Sequence, residues 1–215
     1  MKSIKNYKHI IWDWNGTLLD DVWICMEIIN KMLQKRCLPL LSKDRYKEIF
    51  GFPIQNYYLK AGFNFEVEPF KDLAKEYIEE YDSRSQECKL HQGVLDALKK
   101  INSLGVSQSI LSASSEESLR MIIESFEIQD YFSHINGLND HYAESKIDIG
   151  ERWIKAQGFK PCEVLMIGDT IHDYEVAKAL GIDCVLISHG HQSIERLKDC
   201  NDMVWESVLH IYDLT

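Results

Sequence analysis

Short runs of apolar and β-branched residues, separated by amphipathic helical patterns, are the feature of this sequence that most restricts its fold. The runs do not alternate cleanly between apolar and polar residues, which is typical of strands buried on both faces of a parallel sheet. They are four to six residues long, with a weaker shorter run, and cover His9–Trp12, Val106–Leu111, Val164–Ile167, Cys184–Ile187 and His134–Asn136.

Amphipathic segments lie between these runs, and most of them stop at a glycine, a common helix-terminating residue. The predicted helices are Gly93–Leu104, Glu116–Phe126, Ser145–Gln157 and Asp173–Leu180. Strands that alternate with helices imply a parallel sheet with right-handed crossovers. The sequence therefore predicts an α/β fold: a doubly wound, Rossmann-like parallel-sheet core.

The stretch after the first strand has a different pattern, with helical periodicity, many aromatic residues and no convincing strand. Its predicted helices are Val22–Arg36, Ser42–Phe50, Pro53–Lys60 and Pro69–Ser85. An insertion of this length is large enough to form a small domain of its own. We predict a core domain made of residues 1–20 and 92–215, and a helical cap domain made of residues 21–91.

Composition narrows the classes of partner. The formal net charge is −10, from 34 acidic and 24 basic residues, which disfavours nucleic acid and anionic membranes. The amino-terminal sequence fits neither a signal peptide nor a membrane span, so a cytoplasmic protein is expected. The six cysteines form no CxxC pair and are expected to be small buried apolar residues.

Polar residues follow the predicted strands at the edge where an open α/β sheet binds its ligands. The first strand is followed by Asp13-Trp14-Asn15-Gly16-Thr17, the second by Ser112-Ala113-Ser114, and a later one by Gly168-Asp169-Thr170. Asp173 begins the next helix, and Lys146 opens the helix before the Asp169 strand. These side chains are therefore expected to meet at one edge of the sheet.

Crowded carboxylates repel one another unless a cation joins them, and Mg²⁺ prefers carboxylate, water and phosphate oxygens. With the metal and Lys146 neutralising a bound phosphate, the carboxylate of Asp13 can attack phosphorus and form an aspartyl-phosphate. Ser112 and the amides of the Asp13 loop can hold the phosphoryl oxygens. The expected phosphate-binding positions are Gly16, Thr17 and, beside Ser112, Ala113.

In this order, DWNGTLLD, ILSAS, Lys146 and IGDTIHD resemble the four signatures of the haloacid-dehalogenase-like hydrolases. The phosphoglycolate-phosphatase-like branch, which carries a helical cap after the first strand, is the most similar. The resemblance spans nearly the whole chain. It implies that Asp13 is the nucleophile, that Ser112 binds phosphate and that Lys146 neutralises charge.

The same resemblance implies a magnesium site. Asp169, the Asp13 carboxylate and the main-chain carbonyl of Asn15 would be its protein ligands. Asp173 would support the metal through water or from a position behind the ligands.

Asn15 departs from the family pattern, because its phosphatases usually have an aspartate there that protonates the leaving group and activates water. Asparagine can donate a hydrogen bond but cannot shuttle a proton. Three interpretations stay open: a leaving group that needs no proton, a substitute base, or loss of hydrolysis with binding retained. The candidate substitute bases are the histidines His141, His172, His189 and His191.

Two classes of function follow. The first is a magnesium-dependent phosphatase acting on a small phosphorylated metabolite, with Asp13, Asn15, Ser112 and Lys146 as its catalytic residues. The second is a weakened binding or regulatory protein that keeps the fold and the metal site. Cleavage of carbon–halogen or phosphonate bonds is a lesser alternative, since no cap lysine has a distinctive context and halide release needs no magnesium.

Overall fold

A computed structural model describes residues 3–138 and 146–214 of this protein. Eight strands occur within these residues: β1 (His9–Trp12), β2 (Leu19–Asp20), β3 (Lys89–Leu90), β4 (Ser107–Ser115), β5 (His134–Leu138), β6 (Val164–Gly168), β7 (Asp183–Ile187) and β8 (Val204–Trp205). Six of them form one sheet in the order β5-β4-β1-β6-β7-β8, with every pair parallel. The predicted α/β fold with a parallel sheet is confirmed.

The first strand lies in the middle of this sheet, where the strand order reverses. Trp12 of β1 is level with Ile110 of β4 on one side and with Ile167 of β6 on the other. The chain leaves all three strands at the same edge just beyond these residues. A crevice at such a reversal is the usual ligand site of an open α/β sheet.

Helices cover both faces of the sheet. In the described residues of the core they are α5 (Val94–Ser103), α6 (Glu116–Ser125), α7 (Lys146–Gln157), α8 (Ile171–Leu180) and α9 (Ile194–Cys200). Ile10 and Trp12 point into one apolar cluster, and Ile11 between them points into a second one on the other face. Burial on both faces explains why the β1 sequence is continuously apolar.

Between β2 and β3 the chain forms a helical insertion of four helices: α1 (Val22–Lys35), α2 (Lys43–Ile49), α3 (Ile54–Ala61) and α4 (Phe70–Arg84). The Ser42 hydroxyl caps α2 by accepting from the Arg45 amide at 3.2 Å, and Gly62 ends α3 in a left-handed conformation. The two strands at its ends pair as an antiparallel ribbon. The predicted domain limits, 21–91 for the cap and the remainder for the core, stay a prediction.

The apolar cluster on one face of the sheet continues into the helical insertion. It joins Trp12 of the sheet to Ile28 of α1, Tyr46 of α2 and Leu73 of α4, all of them buried. Removal of these side chains from water favours the docked arrangement by roughly 1.5–3 kcal/mol for each fully buried large residue. The insertion therefore packs over the edge of the sheet where the polar loops emerge.

Some details differ from the sequence prediction. Strand β4 extends through the predicted turn at Ser112–Ser114, because it continues to pair with β5 beyond an irregularity after Leu111. The strands β2, β3 and β8 were not predicted, since two residues are too few to carry a pattern. Among the cysteines, Cys37 in a turn and Cys162 in a short 3-10 helix are exposed rather than buried, and Cys184 and Cys200 are half-buried.

No helix in the described part of the chain combines the length and apolar character that crossing a bilayer requires.

Candidate active site

Asp13, the predicted nucleophile, directly follows β1 and lies at the centre of a buried polar cluster. Its Oδ1 accepts a hydrogen bond from Lys146 Nζ at 2.7 Å, and its Oδ2 accepts one from the Thr17 hydroxyl at 3.0 Å. Only 7% of the residue is exposed. Burial and repulsion from Asp173 raise the pKa of Asp13 to about 6, against the opposing effect of Lys146. The carboxylate is held in one orientation by two donors.

Lys146 lies at the first position of α7 and bridges two carboxylates. Its Nζ donates to Asp13 Oδ1 at 2.7 Å and to Asp173 Oδ1 at 2.6 Å. Burial alone would lower the pKa of Lys146, but attraction to both carboxylates outweighs it and raises that pKa. The residue is thus a fixed positive charge beside Asp13, as the sequence predicted for its position.

Asp169 follows β6 and faces Asp13 across the Thr17 hydroxyl. That hydroxyl lies 3.0 Å from Asp13 Oδ2 and 3.0 Å from Asp169 Oδ1, and its single proton can serve one of them at a time. Asp169 Oδ2 accepts from the His191 amide at 2.6 Å. Burial, together with the charges of Asp13 and Asp173, raises the pKa of Asp169 to about 8, although His191 opposes the shift.

Asp173 has two tasks in this arrangement. Its Oδ2 accepts from the Thr170 amide at 3.0 Å and from the Thr170 hydroxyl at 2.7 Å, which closes a capping box at the start of α8. Its Oδ1 holds Lys146. Burial works against ionisation, but Lys146 and Thr170 outweigh it and lower the pKa of Asp173.

The donor set of this cluster suits a hard divalent cation. Oxygen atoms of Asp13, Asp169 and Asp173 all lie within 4.8 Å of one another, and the three residues are buried. Without a cation, their mutual repulsion contributes to the raised pKa values of Asp13 and Asp169. Mg²⁺ binds preferentially to carboxylate oxygens and would relieve this repulsion.

Gly16 and Thr17 form a tight turn against the two carboxylates. A Cβ atom on Gly16 would lie 2.4 Å from Asp169 Oδ2 and 2.5 Å from His191 Cδ2, and its φ of +72° also favours glycine. The Gly16 amide donates to Leu19 O at 3.0 Å and to Asp21 Oδ1 at 2.8 Å. The phosphate-binding role of Gly16 and Thr17 stays a prediction.

Ser112 and Ala113 emerge beside Asp13, because β4 is the neighbour of β1 and Ser112 lies just beyond the paired residue Ile110. Ser112 is buried, with its Oγ accepting from the Ser114 amide at 3.1 Å, whereas Ala113 is half-buried. Their predicted contact with phosphate is likewise untested.

The Asn15 side chain points toward the helical insertion, where its amide contacts three residues. The Nδ2 group donates to Asp21 Oδ2 at 2.8 Å and to the Tyr81 hydroxyl at 2.7 Å. The Oδ1 atom accepts from the Ser114 hydroxyl at 2.7 Å. The sequence did not predict this environment, and the only local signal was the adjacent acidic pair Asp20-Asp21 before α1.

Of the three candidate histidines within the described residues, His191 is the one that contacts Asp169 and Asp21. Its Nε2 lies 3.2 Å from Asp21 Oδ1, and its Nδ1 lies 2.8 Å from the Tyr46 hydroxyl oxygen of α2. Burial would lower the pKa of His191, but attraction to Asp21 outweighs it and raises that pKa to about 9. Asp21, Cys25 and His191 could also approach a metal, but the Asp21 oxygens already accept several donors.

The other histidines have different neighbours. His189 lies 3.1 Å from Thr17 O and stacks on His91 at 3.7 Å between ring centroids, and burial lowers its pKa to about 4. The His172 ring packs at a tilt against Phe52, with 4.6 Å between the ring centroids, and burial also lowers the pKa of His172. His141 lies outside the described residues.

Polar contacts hold the helical insertion against α9 and the loop that precedes it. Arg196 Nη1 of α9 donates to Lys47 O at 2.8 Å and to Phe50 O at 2.7 Å, and Gln192 Nε2 of the loop donates to Phe50 O at 2.9 Å. Together with the Tyr46–His191 contact, they fix the insertion beside the buried carboxylates.

Comparison with known proteins matches this chain to one protein family. The model of the haloacid dehalogenase-like hydrolase family matches residues 10–187. Phosphoglycolate phosphatases recur among the relatives, and the one from Chromobacterium violaceum is 24% identical over 99% of this chain and 98% of its own length. The tyrosine-protein kinase PtkA of Mycobacterium tuberculosis is 26% identical over 85% of this chain and 62% of its own length.

A solved structure shares the whole fold. The haloacid dehalogenase-like family hydrolase from Streptococcus pneumoniae superposes with a TM-score of 0.82 at 19% identity, and covers 97% of this chain and 98% of its own. The family match covers most of the chain, including the loops of Asp13, Ser112, Lys146 and Asp169. It resembles the phosphoglycolate phosphatases at 24–26% identity, and the family match shows that the chain belongs to the haloacid dehalogenase-like hydrolases.

Proposed function

We propose that this protein is a magnesium-dependent phosphoric monoester hydrolase that acts on a small phosphorylated metabolite through an aspartyl-phosphate on Asp13. The observation that carries the proposal is the contact of Asp13 with Lys146 at 2.7 Å, inside a buried group that also contains Asp169 and Asp173. Phosphoryl transfer to a carboxylate requires a carboxylate fixed beside a positive charge, together with further carboxylates that can hold a metal.

Asp13 would attack phosphorus with Oδ1 or Oδ2 while Lys146 and Thr17 hold its orientation. The P–O bond to the leaving group breaks as the bond to the Asp13 oxygen forms. Water then attacks the aspartyl-phosphate and releases inorganic phosphate. Lys146 stays charged throughout and offsets the negative charge on the transferred group.

The proposed magnesium ligands are the carboxylates of Asp13 and Asp169 and the main-chain carbonyl of Asn15. Magnesium supplies positive charge that allows a phosphate dianion to approach these carboxylates and that stabilises charge on the transferred oxygens. Asp173 would act mainly by positioning Lys146, whose Nζ lies 2.6 Å from its Oδ1, and it can support the metal through water.

The burial of the carboxylate cluster supports the proposal that the substrate is small. The side chains of Asp13, Asp169 and Asp173 are almost inaccessible beneath the helical insertion. Closure of this kind excludes water and leaves little room for a polymer. Because no base stands at position 15, a substrate whose leaving group is stable without a proton would turn over best.

The second candidate function is a binding or regulatory protein with weak turnover. It is favoured by the environment of Asn15, whose amide is held by Asp21, Tyr81 and Ser114 and carries no transferable proton. Metal and phosphate binding would persist in such a protein.

Magnesium-dependent hydrolysis of p-nitrophenyl phosphate separates the two candidates. This leaving group needs little protonation, so Asn15 does not mask a working nucleophile. We expect activity that is lost with a chelator and that falls by ~10⁴-fold or more in Asp13→Asn. Retained activity in Asp13→Asn would rule out the proposed nucleophile. Absence of activity in a protein that binds magnesium would favour the second candidate.

A further inference from the structure

The carboxylate of Asp21 is fully buried, and both of its oxygens accept hydrogen bonds. Oδ1 accepts from the Gly16 amide at 2.8 Å and lies 3.2 Å from His191 Nε2. Oδ2 accepts from Asn15 Nδ2 at 2.8 Å and from the Tyr81 hydroxyl at 2.8 Å. Asp21 thus binds the loop that follows Asp13 at two points, and it joins that loop to α4 of the helical insertion.

The contact between Asn15 and Asp21 is specific for an amide. Asn15 Nδ2 has two protons, and it directs them to Asp21 Oδ2 and to the Tyr81 oxygen. A carboxylate at position 15 would place an acceptor oxygen 2.8 Å from an oxygen of the buried Asp21 carboxylate, in a partly buried contact. Two such carboxylates repel strongly unless one of them takes up a proton.

We propose that Asn15 and Asp21 form a matched amide–carboxylate pair, in which Asp21 is a positioning residue that requires an amide at position 15 and fixes the loop carrying Asp13. The part of this proposal that concerns turnover rests on the function proposed above. In this arrangement position 15, where the family usually has a carboxylate, has an amide, and the neighbouring carboxylate of Asp21 is too deeply buried to meet a substrate.

The geometry allows the pair to be reversed. An asparagine at position 21 can turn its oxygen toward the Gly16 amide and His191, and its NH₂ group toward position 15 and Tyr81. An aspartate at position 15 then accepts from that NH₂ group, from the Tyr81 hydroxyl and from the Ser114 hydroxyl. Every buried polar atom keeps a partner, and the total charge of the group is unchanged.

The test is a double-mutant cycle of Asn15→Asp, Asp21→Asn and the two combined, followed by thermal unfolding in EDTA. We expect each single change to lower Tm by about 4 °C or more, and the combination to recover most of that loss. Asp20→Asn, alone and combined with Asn15→Asp, is the matched control. It removes a neighbouring exposed carboxylate that lies outside the pair and should give no rescue.

Turnover provides a readout that a merely structural role would not move. In the combined variant a carboxyl group stands two residues after Asp13 with its partners satisfied. We expect the ratio of alkyl phosphate hydrolysis to p-nitrophenyl phosphate hydrolysis to rise by ~10²-fold over the wild-type protein. Neither single change should show this selective gain.

Additive Tm losses would overturn the pairing, as would equal rescue by Asp20→Asn. If Asp21→Asn alone does not fold, the comparison of Asn15→Asp with the combined variant still decides, because the proposal requires the second change to rescue the first. The proposed function is tested by a different measurement. If the wild-type protein showed no hydrolysis that depends on Asp13, the proposed function would be wrong, but the Tm values of the double-mutant cycle would still support or refute the pair.

Discussion

Two buried charged groups flank the loop from Asp13 to Thr17, and they are built differently. The lysine group consists of Asp13, Lys146 and Asp173, which come from β1, α7 and α8 of the core. The aspartate group consists of Asn15, Asp21, His191, Tyr46 and Tyr81, and takes its two tyrosines from α2 and α4 of the helical insertion.

The two groups meet two different requirements of this short loop: the first orients Asp13, and the second joins the loop to the helical insertion. The lysine group orients Asp13 with core residues alone, so its contacts do not depend on the helical insertion. The aspartate group depends on the insertion for two of its contacts, because Tyr46 and Tyr81 complete it. Changes in the first group should therefore act on chemistry, whereas changes in the second should act on closure and on substrate affinity.

The largest effect is expected from Lys146→Met. Removing this charge leaves Asp13 and Asp173 facing each other in a buried site, and breaking a buried ion pair costs about 3–5 kcal/mol in the free energy of unfolding. Turnover of p-nitrophenyl phosphate should fall by ~10²–10³-fold. Urea denaturation and steady-state kinetics measure both quantities.

Lys31→Met is the matched control for this change, because Lys31 pairs with Glu80 at 2.8 Å on the surface, with 68% of its side chain exposed. Such a pair contributes at most about 1 kcal/mol. If both lysine variants lost the same stability, the contrast between the buried core group and an ordinary surface pair would be wrong.

A moderate effect is expected from pH and magnesium together. In EDTA, ionisation of Asp13 and Asp169 opposes folding, since their pKa values of about 6 and about 8 lie above the ordinary value of 3.8. The folded state then binds more protons than the unfolded state, so stability falls as pH rises from about 4 to about 8. The proposed magnesium ion would bind the ionised carboxylates and should remove this decline.

Thermal unfolding across this pH range, with and without magnesium, measures the effect. Magnesium at 100 times its dissociation constant should stabilise the protein by about 2.7 kcal/mol near pH 8, and by less near pH 5. Asp169→Asn should abolish the stabilisation. A magnesium effect that does not change with pH would contradict the assignment of these two carboxylates as ligands.

The smallest effect is expected from Tyr46→Phe in the aspartate group. The variant loses the 2.8 Å contact with His191, which is worth about 1 kcal/mol, and it should raise KM more than it lowers kcat. Tyr57→Phe is the control, because the buried Tyr57 hydroxyl has no hydrogen-bond partner among the described residues. A rise in KM of equal size in both variants would show that Tyr46 acts only through packing.

The lysine group was predictable because its members follow from strand order. Asp13 directly follows β1, and Asp173 lies in the first turn of the helix that comes after the adjacent strand β6, so sheet geometry brings them to the same edge. The prediction that Lys146 joins this site also depended on the order of the motifs, because a lysine at the start of a helix is usually a surface residue. Local sequence patterns and the topology of a parallel sheet were therefore sufficient to predict the lysine group.

The aspartate group was not predictable in the same way. Asp21 and His191 are separated by 170 positions, and Tyr46 and Tyr81 reach them only because the helical insertion docks at one angle. A tyrosine in an amphipathic helix gives no sign of whether its hydroxyl ends in solvent or against a buried carboxylate. Sequence periodicity locates the apolar face of a helix but not its polar partners across a domain boundary.

The proposed Asn15–Asp21 pair has a consequence for how such a protein can evolve. Each single exchange passes through a form with either two facing carboxylates or none, and both forms are less stable than the starting protein. A lineage that has acquired this pair cannot regain a carboxylate at position 15 by neutral single steps. The 2.8 Å contact between Asn15 and Asp21 would therefore separate sequences with a carboxylate at position 15 from sequences with one at position 21, although both have the same fold.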